Sequence, residues 1–221
     1  MLTSHLSATQ SCEDRDFVEW HGGCPWCAVW VLPIKEASVA RRVAQARQAL
    51  QPWVLPRYER QPHVTVAYRG LMAGQEAHSK AEFGLLQLQR DVRMLQAAQL
   101  APFALTLGGV DSFSTVPYVK AALPQTLAQA HDALAMVAPY PDWHYVPHLT
   151  LGHYAVEQPM AAVMAALQAS GAGAQPWEET VDAIWLARYR SSDIAGPLTW
   201  EGCFDLRQQN YVPQPGALLP L

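Results

Sequence analysis

Apolar and polar residues recur with two different periods along the chain, and these periods predict strands that alternate with helices. Continuous apolar runs and period-two alternation are typical of strands, whereas apolar residues at every third or fourth position are typical of amphipathic helices. Strands are therefore predicted at about 27–34, 62–69, 103–110, 118–123, 145–154, 181–189 and 198–206. Helices are predicted at about 36–50, 76–100, 124–137 and 160–167.

Two pairs of neighbouring predicted strands have the pattern of antiparallel partners. Residues 103–110 and 118–123 form one pair, and residues 181–189 and 198–206 form another. No glycine-rich phosphate loop follows a strand, which argues against a doubly wound parallel sheet. The order of elements is roughly repeated along the chain, as expected of two similar lobes that face each other. We therefore predict an α+β fold.

The two ends of the chain show no clear period. Residues 1–23 are predicted to be a loose leader, and residues 207–221, which contain three prolines and a glycine, an irregular tail. The chain has 221 residues, half of them apolar, and is long enough for one sizeable core or two fused lobes. Residues 1–221 are therefore interpreted as a single bilobal domain.

Charge and hydropathy limit the partners of the protein. The formal net charge of −4 argues against a broad nucleic-acid interface, which would need a basic face. An RNA ligand would then be an end or a short oligonucleotide. No apolar run approaches the roughly 20 residues of a membrane span, and the first fifteen residues lack the apolar core of a signal peptide. We expect no membrane partner, a cytoplasmic location and a monomer.

Two of the four cysteines, Cys24 and Cys27, have the spacing of a redox pair. A thioredoxin-like pair follows a strand and opens a helix, where the helix dipole lowers the pKa of the first thiol. Here the pair precedes a predicted strand instead. Cys12 and Cys203 provide no second pair at zinc-binding spacing. The four cysteines are interpreted as ordinary reduced thiols, with a redox or metal role kept as the alternative.

The most informative feature is a pair of near-identical segments, Pro62-His63-Val64-Thr65-Val66 and Pro147-His148-Leu149-Thr150-Leu151. On a strand, alternate side chains share a face, so each histidine lies beside a threonine while the apolar residues anchor the other face. Two hydrogen-bonded histidines in two core strands would be the structural alternative. Two proline-led copies of one pattern favour a shared functional site instead.

These segments resemble the two His-x-Thr/Ser-x motifs of the 2H phosphoesterases. The chain is most similar to the branch of bacterial RNA 2′,3′-cyclic phosphodiesterases, also called 2′-5′ RNA ligase-like proteins. The resemblance includes the strand and helix before the first motif and extends loosely to Tyr154. It implies two lobes, each an antiparallel sheet with helices on its outer face, and an active cleft between them.

Two histidines and two threonines can open a cyclic phosphate without metal or another cofactor. An in-line displacement at phosphorus needs a base for the attacking water, an acid for the leaving oxygen and donors for the non-bridging oxygens. His63 and His148 can supply the base and the acid, and Thr65 and Thr150 the donors. Geometry leaves open which histidine is the acid. The resemblance implies that His63 protonates the leaving 3′ oxygen and that His148 activates water, which yields a 2′-phosphate.

Three further residues are candidate substrate contacts. Tyr68, five places after the first histidine, matches an aromatic position of the family and could stack on a base. The family often has an arginine five places after the second histidine, where this chain has His153. Strict alternation would turn His153 away from His148 unless Gly152 introduces a bulge or the strand ends there. Tyr118 could line the cleft, although aromatic residues in strands more often belong to the core.

The pattern leaves three alternatives to this interpretation. His144, His148 and His153 could bind a metal, although Pro147 argues against the helix that would place the first two together. The chain could bind RNA ends or nucleotides in the same cleft without turnover. It could also be a thiol oxidoreductase that uses Cys24 and Cys27. The favoured hypothesis is a phosphodiesterase that acts on cyclic phosphates or 2′-5′ linkages of RNA ends or small nucleotides.

Overall fold

The computed structural model of the chain describes residues 7–72, 83–135 and 144–221. The helices within these residues are α1 (Val18–His21), α2 (Ala37–Ala49), α3 (Leu85–Ala98), α4 (Gln125–Ala135) and α5 (Met160–Ala169). The strands are β1 (Trp26–Pro33), β2 (His63–Leu71), β3 (Phe103–Ser112), β4 (Pro117–Ala121), β5 (His148–Thr150), β6 (Trp177–Val181), β7 (Ala183–Arg190), β8 (Thr199–Asp205) and β9 (Asn210–Pro213). None of the helices described is long and apolar enough to cross a membrane.

All of these strands belong to one antiparallel sheet of nine strands in the order β6-β3-β4-β5-β2-β1-β7-β8-β9. The first four strands in this order form one lobe and are β6, β3, β4 and β5. The other five form the second lobe and are β2, β1, β7, β8 and β9. The lobes join where Val64 of β2 pairs with Leu149 of β5. The predicted α+β fold with two lobes is confirmed, and both predicted strand pairs are antiparallel. The two sheets are continuous rather than separate.

Helices α2 to α5 contribute to one large core on one face of the sheet. Ala28, Trp30 and Leu32 of β1 alternate toward this core and are almost completely buried. Each of these helices has an apolar stripe along one side, and the apolar face of the sheet is the surface that buries it. This packing leaves the opposite face of β1 and β2 available for other residues.

The opposite face of the sheet has a smaller apolar cluster formed by Val29, Val31, Ala187 and Leu198. Trp185, Tyr189 and Trp200 pack against this cluster and are only partly buried. The first motif histidine lies on this second face, because it pairs with Pro33, two residues beyond Val31 on the same strand. We call this surface the site face.

A bulge in β2 determines which side chains of the first motif strand reach the site face. The register shifts between Trp30 and Val31, whose partners in β2 are Ala67 and Thr65. Val66 and Ala67 consequently both pack into the large core. Strict alternation would have turned Tyr68 toward the helices, whereas the bulge returns it to the site face. A single inserted residue thus keeps Tyr68 on the same face as the motif histidine.

Two predicted elements differ in length from those observed. The strand predicted at 145–154 is only β5, because Pro147 has no N–H for the ladder and the chain leaves the sheet after Thr150. The helix predicted at 76–100 is observed as α3 with Gly84 as its N-cap, and residues 76–82 of that prediction lie outside the described residues. Residues 136 and 137 of the helix predicted at 124–137 also lie outside the described residues. The other predicted ends agree with the structure to within about three residues.

The described residues near both chain ends are more ordered than their composition predicted. Ala8 forms a bridge with Pro159, which ties the predicted leader to the start of α5. Strand β9 lies inside the predicted irregular tail, and its pairing with β8 extends the sheet. Buried Glu201 accepts hydrogen bonds from the backbone N–H groups of Leu218 and Leu219. These corrections rest on pairing with distant residues, which local periodicity does not reveal.

A buried ion pair connects β2 to α3 inside the large core. Arg69 donates to both carboxylate oxygens of Asp91 at 2.9 and 3.1 Å, and Trp30 Nε1 donates to the same carboxylate at 2.8 Å. Burial raises the pKa of Asp91 to about 6, so the carboxylate is still ionised at pH 7. Both charges are removed from water, so their attraction offsets part of the cost of burying them.

We expect Asp91→Asn to lower the free energy of unfolding by about 3–5 kcal/mol, because it removes the negative charge of one partner of a buried ion pair. Denaturant unfolding monitored by circular dichroism measures this change. Glu19→Gln is the matched control, since it removes one partner of an exposed ion pair with Arg15 and should change stability little. Equal stability of the two variants would contradict the role of the buried pair.

Candidate active site

The four motif side chains lie on one face of two adjacent strands. Val64 pairs with Leu149, so one step along each antiparallel strand places His63 opposite Thr150 and Thr65 opposite His148. Side chains directly opposite have Cβ atoms about 4.5–5.5 Å apart, and diagonal neighbours about 7–8 Å. The histidines therefore occupy one diagonal of a small square and the threonines the other. This group of His63, Thr65, His148 and Thr150 is called the quartet below.

Each histidine is oriented by a hydrogen bond of the same kind. His63 Nδ1 lies 2.7 Å from the carbonyl oxygen of Gln61, and His148 Nδ1 lies 2.7 Å from that of Val146. A carbonyl oxygen only accepts, so Nδ1 carries a proton in both rings. Nε2 of each neutral ring is then left as an acceptor. The motif thus sets the tautomer of its own histidine through the residue two places earlier.

Burial changes the protonation of both rings. It lowers the pKa of His63 to about 4, with smaller contributions from the charges of Arg60 and His148. Burial also lowers the pKa of His148 below its ordinary value. Both imidazoles are therefore neutral at pH 7 in the free protein. A bound phosphate would raise both values, because an opposite charge nearby favours the charged form.

Aromatic side chains surround His148. Its ring centroid lies 5.1 Å from those of Phe113 and Tyr118, and those two rings pack at 4.5 Å. Tyr118 pairs with Thr150 in the sheet and is only 3% exposed, so its ring mainly supports His148. Its predicted role as a substrate contact stays a prediction. Phe113 was missed, because it lies in the short connection between β3 and β4 rather than in a periodic segment.

Tyr68 remains a candidate for contact with a base. It is half-buried on the site face, and the Cys27 Sγ lies 3.2 Å from its hydroxyl oxygen. Cys27 also donates to the carbonyl oxygen of Gly70 at 3.2 Å. Burial raises the pKa of the Cys27 thiol, and both Cys24 and Cys27 are buried free thiols. A raised pKa disfavours the oxidoreductase hypothesis, which requires an acidic thiol.

His153 lies beyond the end of β5, where it packs against Tyr58 rather than continuing the strand. The two ring centroids are 5.5 Å apart. Burial lowers the pKa of His153 to about 4, so this residue is neutral at pH 7 and does not replace a fixed cation. Its predicted contact with phosphate stays a prediction. Over the described residues, no group of histidines, cysteines and acids is arranged to hold a metal ion, which disfavours the alternative site at His144, His148 and His153.

Arg60 supplies a positive charge near the quartet and was not predicted from the sequence. Its guanidinium donates to the backbone carbonyls of Ile194 and Gly196 at 2.8 and 3.3 Å. It also lies 4.0 Å over the ring of Tyr189 on the site face. Burial is the largest cause that lowers the pKa values of His63 and His153, and the charge of Arg60 lowers both values further. Its position three residues before the first motif is the signal that could have found it.

Two further residues next to the quartet were not predicted from the sequence. Burial raises the pKa of Tyr58, and hydrogen bonding with Thr150 partly opposes this effect. Arg47 of α2 lies 5.4 Å from the Tyr58 ring and donates to the Leu151 carbonyl at 3.3 Å. Both contacts come from chain segments outside the motif strands. The helix period predicted where Arg47 lies but not what its long side chain reaches.

Comparison with solved structures shows the fold to be known. The structure of TT0787 from Thermus thermophilus is 17% identical, with a TM-score of 0.54 over 82% of this chain and 98% of that chain. The Escherichia coli protein LigT complexed with NADP+ is 18% identical, with a TM-score of 0.47 over 80% of this chain and 94% of that chain. LigT complexed with 3′-AMP gives the same identity and TM-score. Such identities show the fold alone.

A family model identifies the chain more directly. The model described as the 2′-5′ RNA ligase superfamily matches residues 36–193, which include both motif strands. No curated protein matches the chain. Because the matched segment is well over half of the sequence, the chain belongs to the 2′-5′ RNA ligase superfamily of 2H phosphoesterases.

Proposed function

We propose that this protein is a phosphodiesterase that opens 2′,3′-cyclic phosphates, or cleaves 2′-5′ linkages, of RNA ends or small nucleotides without a metal ion. Phosphodiesterase activity on RNA or nucleotides is what its family suggests. The observation that carries the proposal is the Val64–Leu149 pairing, which assembles the quartet on one face. Two imidazoles at opposite corners can act on opposite sides of one phosphorus atom.

The proposed reaction is an in-line displacement. Neutral His148 accepts a proton from water through Nε2, and the oxygen of that water attacks phosphorus. The bond from phosphorus to the 3′ oxygen breaks, and protonated His63 donates a proton to that oxygen. This assignment of acid and base follows the family resemblance. The threonine hydroxyls donate to the non-bridging oxygens as negative charge develops on them.

The charge state of His63 connects substrate binding to catalysis. In the free protein the ring is neutral, because burial and Arg60 oppose its protonation. A bound phosphate brings the counter-charge that a protonated ring needs. The proton that His63 donates is therefore taken up as substrate binds. Arg60 would attract the same phosphate by its long-range field.

Replacing either quartet histidine should strongly lower the rate of turnover. We expect His63→Ala and His148→Ala each to lower kcat by about 10²–10⁴, because each removes a general acid or base. The assay incubates the protein with 2′,3′-cyclic nucleotides and 2′-5′ dinucleotides in the presence of a chelator and identifies the phosphorylated product. His144→Ala is the matched control, since His144 is exposed and lies only four residues before His148.

Two outcomes of this assay would contradict the proposal. Full activity of either quartet variant would show that its histidine is not the acid or base. Tight binding of a cyclic nucleotide by the unaltered protein, with no product after long incubation, would establish the non-catalytic binder instead.

The pH dependence of the steady-state rates should reflect the lowered pKa values of His63 and His148. His148 must be neutral and His63 protonated, so kcat/KM should give a bell-shaped profile with a maximum below their ordinary value of 6.5. The kcat profile should lie at higher pH, because bound phosphate raises both values. Steady-state rates over a pH series in a buffer of constant ionic strength measure both profiles. A maximum of kcat/KM on the alkaline side of neutrality would be inconsistent with this assignment.

Removing the charge of Arg60 should raise the pKa of His63 from about 4 toward its ordinary value, because that charge opposes protonation of the ring. NMR titration of the imidazole protons measures the change. Arg60→Gln should raise the pKa of His63 more than that of His148, for which Arg60 is not among the causes. Arg60→Lys should preserve the low value.

Arg57→Gln is the matched control for this titration. Arg57 binds Asp193 in the same loop that Arg60 contacts, but it is not among the charges that act on His63. Equal shifts in Arg57→Gln and Arg60→Gln would assign the effect to movement of the loop rather than to charge.

A further inference from the structure

The aromatic part of the site face leads away from the quartet and ends in a cavity. This cavity has a volume of about 300 Å³ and is lined by Pro33, Ile34, Lys35, Gln61, Pro62, Trp185 and Trp200. Its volume is at the lower end of the range for small-molecule sites. The quartet mechanism uses none of these side chains. We call it the tryptophan cavity.

The tryptophan cavity lies beside the quartet. Two of its lining residues, Gln61 and Pro62, immediately precede His63. In the sheet, Thr65 pairs with Val31, which in turn pairs with Trp185. Two strand spacings separate Thr65 from Trp185, a distance of about 10 Å. A ligand that reaches from the quartet to the cavity therefore crosses only one strand.

The chemistry of the cavity fits a nucleobase and its phosphate. The ring centroids of Trp185 and Trp200 lie 5.5 Å apart at 65°, and both side chains are half-buried. The ammonium of Lys35 lies 6.0 Å from the centroid of the Trp185 ring, and this lining lysine is exposed. Indole rings stack on any base, and a lysine beside them can attract a phosphate.

We propose that the tryptophan cavity binds the penultimate nucleotide of an RNA that ends in a 2′,3′-cyclic phosphate. This inference rests on the proposed function. A cyclic phosphate occupies the 3′ end of the RNA, so the terminal nucleotide has a neighbour only on its 5′ side. The base of that neighbour packs on Trp185 and Trp200, and Lys35 attracts its phosphate. The protein is then an enzyme of RNA ends rather than of single nucleotides.

The test compares a 2′,3′-cyclic mononucleotide with a dinucleotide that ends in a 2′,3′-cyclic phosphate. The unaltered protein should show a higher kcat/KM for the dinucleotide, mainly through a lower KM. We expect Trp185→Leu and Trp200→Leu each to reduce this preference by about 5- to 150-fold, the range that corresponds to the loss of one stacked base. Trp185→Phe should retain most of it, since an aromatic face remains.

Lys35→Gln tests the electrostatic part of the same site. Lys35 is exposed, so its replacement should not disturb folding. The dinucleotide KM of the unaltered protein should rise with salt, and the variant should show a weaker salt dependence. Trp20→Leu is the matched control for loss of a tryptophan, because Trp20 is a partly exposed residue on α1 outside the cavity lining.

Equal kcat/KM values for the two substrates, or an unchanged preference in Trp185→Leu and Trp200→Leu, would overturn the inference. Calorimetric binding of a dinucleotide and a mononucleotide, each with a 3′-phosphate, separates this failure from failure of the proposed function. Preferential dinucleotide binding that depends on Trp185, without turnover of either substrate, would reject the phosphodiesterase and retain the cavity as a nucleotide site.

Discussion

The pairing of β2 with β5 is the interaction on which the site and the fold both depend. Val64 and Leu149 are completely buried on the helix side, and their pairing places all four motif side chains on the other side. The strand that makes this possible is only three residues long. Leu149 also pairs with Val119, so neighbours on both edges hold the short strand in position. A one-residue slip would turn either histidine toward the core.

The electrostatics of the site follow from the same packing. The sheet buries both imidazoles, and burial lowers their pKa values before any substrate arrives. The carbonyls of Gln61 and Val146 then define the tautomers. Because these acceptors directly precede the motif segments, orientation and burial arise from one local conformation. Charge must come from elsewhere, and Arg60 brings it from the irregular connection before β2.

Periodic segments of the sequence predicted most of the fold and the quartet, because strand alternation is a local property. The same approach missed Arg60 and Tyr58, since the connection between α2 and β2 has no period and its contacts depend on tertiary packing. It also could not anticipate that Val66 and Ala67 would form a bulge that returns Tyr68 to the site face. Residues 207–221 were predicted irregular from their prolines, yet pairing with β8 orders Asn210–Pro213 into a strand.

The continuity of the sheet restricts how this protein can move. Many two-lobed enzymes open and close by rotation about a flexible linker between lobes. Here the boundary between lobes is itself held by backbone hydrogen bonds, where Val64 of β2 pairs with Leu149 of β5 in one continuous sheet. Rotation of one lobe against the other would break those bonds and separate the two catalytic strands. We therefore expect ligand entry and release to be controlled by the surrounding loops, while the lobes stay at a fixed mutual angle.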